Sequence, residues 1–570
     1  MSFKMQKLKQ SEMKQYKAIY IILIYLLSGH ICAQEINKEV VVTSSFRPEI
    51  EQFEKISLMP EIKDTVTVKP EIDISLVPSR VETYYNVRPI KAATIAANPL
   101  DKLYNSYLKL GMGMYTTPLV EFNIHNLRSK KYSYGGYASH KSSHTKIKLD
   151  NGHKVPGGYG KNLIGGYGKH FHKDFTLEGD AGFRNHKIRY YGYNTEKFEG
   201  QELPSIETFN IGQNYIDVFA NAAIYSRDVD SNNVFFYRFA LSGAYFSDSD
   251  KNDEGIGNIK GLLGGKAGGL NIALNLGLDR INKGFASNIP DNTVFTVNPY
   301  IQKKSDLWEF KIGGKLVIDK DTITNQYFYP DANIRFYIMP SVLQSYFGLG
   351  GDLELNNYKK IASENPFVKP GIYVPNTKKT LIAYGGLIGE ITSQAGFRIE
   401  ARYTSLKDAY YYIINKQAQI NSLDNQFIYE LDNSDLAQLK GEIYYNPLKN
   451  LSFFTKASFN QYNVKSIDKP WHKPAFEFNF STKYIHEEKL VTGFELFHMS
   501  KRYAPPSLVT SNTNTTLNAI WDVNLMAEYQ YSNVLSFFAD VNNIFGTKYY
   551  VWSQYPTQGF NFMLGLSYKL

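Results

Sequence analysis

From residue 104 onward, apolar and polar positions alternate with a period of two. Trp521, Val523, Leu525, Ala527, Tyr529 and Tyr531 interleave with Asp522, Asn524, Met526, Glu528 and Gln530. Phe476, Phe478, Phe480, Thr482 and Tyr484 alternate in the same way with Glu477, Asn479, Ser481 and Lys483. Leu535, Phe537, Ala539 and Val541 face away from Ser536, Asp540 and Asn542, and Phe560, Phe562, Leu564, Leu566, Tyr568 and Leu570 share one side at the end. Successive side chains of a strand point to opposite faces, so each segment predicts a strand with one apolar and one polar face. A length of about ten residues matches a strand tilted across a lipid bilayer.

Alternation alone also fits a soluble sandwich or propeller, and the connections separate the cases. Short turns fall at 128–131, 170–174, 264–269, 303–306, 339–342, 392–395, 446–450, 486–489 and 532–533. Long polar loops rich in Gly, Asn and Pro fall at 139–157, 185–206, 356–378, 408–434, 462–474, 500–517 and 546–558. Short and long alternate strictly through the second half, which is the asymmetry of a membrane barrel. No repeat of about 40–50 residues marks a propeller. The reading is all-β: a transmembrane antiparallel β-barrel of about 22 strands over 104–570, with both ends on the periplasmic side. Residues 255–282 admit a shift of one hairpin. Closure satisfies this architecture because a bilayer offers no water to unpaired backbone groups. Tyr190, Tyr191, Tyr193, Tyr410, Tyr411, Tyr412, Tyr549 and Tyr550 fit an interfacial girdle with buried rings and wet hydroxyls, loop packing or sugar stacking being the alternative.

Composition agrees with a large β protein: aromatics are 15%, with 44 Tyr, 36 Phe and 42 Gly. No run of about 18 apolar residues appears, which excludes a bundle of transmembrane helices. The 43% apolar content excludes a disordered chain. Residues 1–33 read as a secretory signal peptide: Lys4, Lys7, Lys9, Lys14 and Lys17 precede the apolar core Ala18–Leu27, and Ala33 stands at the cut. A signal anchor is the alternative, and Met13 is an alternative start. Removing five Lys and Glu12 takes the net charge from +9 to +5, with no clustered basic footprint for nucleic acid. It also removes Cys32, the single Cys, so a mature chain has no disulfide and no thiolate metal site.

Residues 34–103 have a different character from the alternating region. Pro-Glu-Ile occurs at 48–50, 60–62 and 70–72, and Pro78, Pro89 and Pro99 continue the series. Prolines at this spacing fragment helices and central strands. With ten acidic and eight basic side chains between Gln34 and Leu100, the segment reads as extended, gaining order by lying on another surface. A barrel this wide leaves an aqueous hole unless filled, so this segment and inward-folding loops such as 356–378 are expected to occupy the lumen. A plain spacer is the alternative.

Sites for chemistry are few. His170 and His172 lie on a turn, and His140, His144 and His153 on a loop, with no thiolates to help them hold a metal. Asp248–Asp253 begins like a calcium loop, but Asp253 replaces the turn Gly and Ile259 the bidentate Glu, so it reads as a solvated acidic loop. Gly264–Gly269 lacks the P-loop pattern, with Lys260 and Ala267 at its ends, and reads as a tight turn. No nucleophile elbow or H-E-x-x-H motif occurs, so no enzyme, cofactor or metal site is predicted.

The C-terminus carries a specific resemblance. Phe538-Ala539-Asp540-Val541-Asn542-Asn543-Ile544-Phe545, Lys548-Tyr549-Tyr550, Tyr555-Pro556-Thr557-Gln558-Gly559 and Gly565-Leu566-Ser567-Tyr568-Lys569-Leu570 resemble the closing hairpin of TonB-dependent outer-membrane receptors. Gly565, Tyr568 and Leu570 are similar to the barrel-assembly signal, with Met563 and terminal Leu570 departing from the usual residues. Glu39, Val40, Val41, Val42, Thr43 and Ser44 are similar to the box that pairs with TonB as an added strand, a generic β-rich stretch being the alternative. The globular plug of such receptors has no counterpart among the residues before the barrel. The resemblance implies a receptor in the Gram-negative outer membrane, without a full plug, taking part in uptake of a ligand. TonB, the barrel-assembly machinery and a surface lipoprotein are the implied partners, outer-membrane lipid the surroundings, and a Bacteroidetes-type organism the host. The alternatives are a non-transporting subunit of an outer-membrane assembly or secretion complex, and a passive porin. The Asn-, Tyr- and Lys-rich loops specify no ligand.

Overall fold

Alternating side chains and short reversals produce an up-and-down meander in which each strand bonds to its chain neighbours. A computed structural model describes residues 103–195, 212–226, 235–284, 291–416, 423–506 and 514–570. The signal-peptide, Pro-rich and TonB-box readings fall before residue 103, outside the described residues. The wall runs β1 (Ser106–Gly113), β2 (Thr117–His125), β3 (Tyr132–Ser143), β4 (Tyr159–Phe171), β5 (Phe175–Arg189), β6 (Gly212–Ser226), β7 (Phe235–Ser247) and β8 (Asp253–Ala267). It continues with β9 (Leu270–Lys283), β10 (Asn292–Lys304), β11 (Trp308–Lys320), β12 (Thr324–Met339), β13 (Leu343–Glu354), β14 (Thr377–Thr392) and β15 (Ala395–Ile414). The last strands are β16 (Phe427–Leu448), β17 (Leu451–Val464), β18 (Phe476–His486), β19 (Leu490–Met499), β20 (Ile520–Gln530), β21 (Leu535–Asn542) and β22 (Asn561–Lys569). All belong to one 22-stranded sheet. Antiparallel pairing of β1 with β22, from Tyr107 opposite Lys569 to Gly113 opposite Met563, closes it.

The predicted strand count therefore holds, and so does the gathering of the long connections on one rim. Connections 144–158, 190–211, 355–376, 415–426, 465–475, 500–519 and 543–560 all leave one rim, the loop face. The other rim, the turn face, carries nothing longer than the 227–234 connection and includes reversals such as 268–269, 393–394 and 449–450. Both ends of the barrel lie on the turn face. The 264–269 turn is narrower than predicted: strand pairing persists to Ala267 opposite Leu270, and Gly268 and Gly269 make the reversal at φ +57° and +78°. Positive φ at both central residues suits a two-residue hairpin, and glycine adopts it without a Cβ penalty. The loop predicted at 408–434 is shorter too, because β15 and β16 stay paired from Ala409–Asp432 out to Ile414–Phe427.

Outward positions are apolar and inward ones polar. Leu241 is 58% exposed at the middle of β7, and Ile164, Ile312, Phe347, Ile443 and Leu564 form the same exposed band on other strands. An apolar belt of this kind is the surface a bilayer covers. Among the described residues no helix is long and apolar enough to cross a membrane, so strands do the crossing. Inside, charged residues pair: Lys311 with Asp331 at 2.6 Å and Lys169 with Glu178 at 2.9 Å across neighbouring strands, and Arg402 with Glu400 at 3.0 Å along β15.

Candidate functional site: the capped mouth

Small apolar clusters lie within the wall, such as Val294, Val317, Tyr329 and Leu353, but among the described residues the largest core sits at the loop face. It gathers Ile147, Leu149 and Val155 from the β3–β4 loop, Tyr190, Tyr191 and Tyr193 from β5–β6, and Val368, Ile372 and Val374 from β13–β14. Tyr412, Ile414 and Phe427 reach it from the ends of β15 and β16, and Tyr555 from the last loop. The hairpins β5–β6 and β15–β16 stand ten strands apart in a ring of twenty-two. A core containing both spans the mouth.

Among the described residues one helix, α1 (Tyr358–Glu364), anchors this cap. Asn357 caps it, its side chain accepting the Lys360 N–H at 2.7 Å, and Asn365-Pro366 ends it because a residue before proline avoids helical geometry. Tyr358, Ile361 and Ala362 form its buried face, at the i, i+3, i+4 spacing. The loop turns inward as predicted. Tyr358 N–H donates to Glu254 at 3.0 Å, and Lys359 Nζ lies 2.6 Å from Asp217, whose neighbour Val218 is on the outer surface. The Tyr358 ring packs on Tyr215 and Phe246, and its hydroxyl donates to Asp248 at 2.5 Å. Asp248 is therefore not the solvated acid predicted. It is 8% exposed and also accepts the backbone N–H groups of Asp250 and Asn252.

The predicted tyrosine girdle is corrected in the same way. Tyr190 is 2% exposed and donates to the Val368 carbonyl at 3.0 Å; Tyr191 donates to the Pro556 carbonyl at 2.9 Å. Tyr410 and Tyr412 both donate to Glu364, and Tyr411 bonds Ser434. Tyr549 donates to Asp522 and Tyr550 to Asp150. These hydroxyls hold loops together instead of sitting in the water of a membrane interface, since every partner comes from the loop face.

Two residues that sequence reasoning passed over organise the cap. His472 is buried: its Nδ1–H donates to the Tyr412 carbonyl at 3.1 Å, and its Nε2 accepts the Ser553 N–H at 3.4 Å. Those partners fix a neutral imidazole, and burial pushes its pKa down to about 3. Arg502, 1% exposed, donates to the carbonyls of Val551 and Tyr550 at 2.8 and 2.6 Å. Burial lowers its pKa to about 10. The local signal was Trp471-His472 between Pro470 and Pro474 in an otherwise polar loop.

Two cavities flank the cap. The inner one, about 380 Å³, lies on the wall beneath it and is lined by Lys379, Arg402, Lys440, Lys473, Gln438 and Tyr462 among others. Its cations are mostly engaged: Lys379 with Glu354 at 3.0 Å, Arg402 with Glu400 and Lys473 with Glu364 at 3.0 Å. The outer one, about 270 Å³, lies between the β3–β4, β5–β6, β19–β20 and β21–β22 loops. Of the histidines considered for a metal, His140 bonds Asn162 and Ser142, while His170 stacks on Tyr132 and His172 on Phe175. Gly565, Tyr568 and Leu570 sit at the seam, with Gly565 opposite Gly111 and Tyr568 opposite Leu108, and the Leu570 carbonyl accepting the Asn105 N–H at 2.7 Å.

No protein-family model matches the sequence, and no curated protein does. Solved structures do. The siderophore receptor PirA from Acinetobacter baumannii superposes with a TM-score of 0.62 at 11% identity, over 82% of this chain and 81% of that one. The ferric-catecholate import receptor Fiu from E. coli K12 gives 0.60 at 8% identity, over 82% of each chain. The iron transporter FrpB from Neisseria meningitidis gives 0.59 at 12% identity, over 83% and 82%. These neighbours are transport receptors, not enzymes. The wall built by residues 104–570 has the 22-stranded barrel fold of TonB-dependent outer-membrane receptors, in line with what its C-terminal residues imply.

Proposed function

We propose that the protein is an outer-membrane receptor that takes up a ligand through the capped mouth of its barrel. The observation that carries this reading is the cap itself: loops from opposite sides of a closed, lipid-belted wall share one buried core, with cavities above and below it. A passive pore needs no such structure, whereas a receptor needs a formed surface outside and a gate beneath it. The turn face, which holds both barrel ends, is the periplasmic side, and the loops face outward. Glu39–Thr43 would then offer a strand to TonB from the periplasm, Gly565, Tyr568 and Leu570 would present the closing strand to the barrel-assembly machinery, and a surface lipoprotein would meet the loop face.

The test is affinity purification from native membranes in mild detergent, comparing wild type with Val41→Pro, which removes a ladder donor. TonB co-purifying with wild type and not with Val41→Pro is the expected result. Secretion or assembly subunits in place of TonB, unchanged in the variant, would overturn uptake in favour of a structural subunit.

A further inference from the structure

The turn face carries its charge unevenly. Arg128, Lys130 and Lys131 crowd the β2–β3 turn and Lys173 the β4–β5 turn, all of them exposed. The two turns are neighbours, since the Phe171 N–H donates to the Lys131 carbonyl at 2.8 Å. Among the described residues these cations have no salt bridge; Asp174, the acid of the second turn, lies 3.5 Å from His172. Elsewhere on this rim acids offset the cations, as Glu487 and Glu488 do beside Lys489. The β2–β3 turn is also held in shape. Asn126 accepts the Tyr134 N–H at 2.6 Å and donates to the Tyr132 carbonyl at 2.9 Å, and Ser129 Oγ accepts the Lys131 and Tyr132 N–H groups at 3.2 Å.

Toward the apolar belt the cations give way to rings. Tyr132 stacks on His170 with centroids 4.7 Å apart, and His172 on Phe175 at 4.6 Å. Leu127 is 51% and Tyr134 60% exposed beside them. Tyr132, Tyr134, His170 and Phe175 lie on the same outward face as Ile164 and Phe183. Next along that face the wall is low, with Tyr134 opposite Gly168 and Gly136 opposite Gly166. A Cβ at Gly168 would meet nothing within 4 Å, and one at Gly136 nothing nearer than 3.6 Å, so packing demands glycine at neither. Glycine weakens a strand, and here it opens the backbone to whatever lies against the wall.

We infer that this sector binds an anionic glycerophospholipid of the inner leaflet. Its phosphate sits on Arg128, Lys130, Lys131 and Lys173, its glycerol region against the Tyr132–His170 stack, and one acyl chain over Gly168 and Gly136. The leaflet follows from the reading of the turn face as periplasmic. Clustered, unpaired cations at a membrane rim select a phosphate over a neutral headgroup. Rings with polar edges suit the boundary between headgroup and chain, and a chain approaches backbone closely only where side chains are missing. A soluble phosphate or an acidic peptide would engage the cations but not the rings and the open wall.

The full chain is purified in a non-ionic detergent and titrated with phosphatidylglycerol, phosphatidylcholine and glycerol 3-phosphate, with bound molecules counted by native mass spectrometry. Saturable binding of phosphatidylglycerol is expected, weakened by about tenfold or more in Arg128→Gln/Lys130→Gln/Lys131→Gln. Gly168→Leu, which has room for its side chain, is expected to weaken it as well. Lys303→Gln/Lys304→Gln/Lys449→Gln removes the same charge from other turns of this rim and is expected to leave binding intact. Heat-modifiable gel mobility confirms that each variant is folded. Equal binding of phosphatidylcholine, glycerol 3-phosphate held as tightly as the lipid, or equal losses in the two triple variants would overturn the inference. Lipid binding without TonB association would keep this site while refuting coupled uptake, and TonB association without lipid selectivity would do the reverse.

Discussion

Asn425 donates a side-chain hydrogen bond to the backbone carbonyl of Tyr190 at 3.1 Å, although the hairpins that carry them leave the wall ten strands apart. The bond can form only across the mouth. Asn425→Ala leaves a buried carbonyl unpaired at a cost of about 1–3 kcal/mol, and Tyr190→Phe removes the donor to Val368. Hydrogen exchange should speed up in 190–195 and 365–374 in both variants while the strands stay protected. Faster exchange throughout the barrel would show that cap and wall do not melt separately.

His472 makes the cap acid-sensitive. Its pKa falls from the usual value to about 3 in the folded protein, so between pH 6.5 and 3 the unfolded loop binds a proton that the packed one refuses. Stability of the cap is complete above pH 6.5 and drops as pH falls, by up to about 1.4 kcal/mol per unit. Glu364 adds to this at lower pH. Burial opposes its charge, but Lys473, Tyr410 and Tyr412 outweigh that and lower its pKa, so its contribution fades as pH falls below the usual carboxylate value. Intrinsic fluorescence of Trp471 and Trp552 should report loosening on acidification, and His472→Gln should flatten the upper part of the profile.

Arg502→Met removes the donors to the Tyr550 and Val551 carbonyls while keeping volume. A local loss of about 2–3 kcal/mol is expected, because hydrogen bonds from charged groups are stronger than neutral ones. Protease cleavage should become faster in 549–556 and remain unchanged on the turn face.

Leu241 faces lipid at the centre of β7, and the next residue, Ser242, bonds Asn258 inside. Leu241→Arg should destabilise the folded barrel by about 2–4 kcal/mol in bilayers. Ser242→Arg, in a wet lumen, should be close to neutral. Urea unfolding in lipid vesicles separates the two, and equal effects would reverse the assignment of faces.

Gly565 lies where a Cβ would stand 2.1 Å from the Leu110 carbonyl and 2.4 Å from the Phe538 ring. Gly565→Val should therefore abolish the compact, heat-modifiable species on gels, while Leu570→Phe, exposed at the end of the seam, should preserve it.

The wall was legible in the sequence because its two faces meet different solvents. Lipid outside and water inside impose a period of two, as Trp521–Tyr531 shows, and loop length alternates because turns on one rim have nothing to build. The cap was not legible. Tyr190 and Tyr191 find their partners 178 and 365 residues away, and no local pattern encodes such contacts. Tyrosines near strand ends look alike whether they meet lipid headgroups or one another. Tyr410–Tyr412 were misplaced for that reason, since strand pairing carries them past the belt into the cap. His472 escaped notice because a lone histidine in a polar loop carries no spacing signal.

The pairing of β1 with β22 also has a consequence for biosynthesis. Seven residues of one strand meet seven of the other, from Tyr107–Lys569 to Gly113–Met563, and until they do the sheet has two bare margins facing a greasy environment. A chain interrupted anywhere in the barrel would share that defect, however much of the wall it had formed. Completion is thus a property of the whole polypeptide, checked at one place, and a machine that handles only the final strand would in effect be inspecting every strand before it.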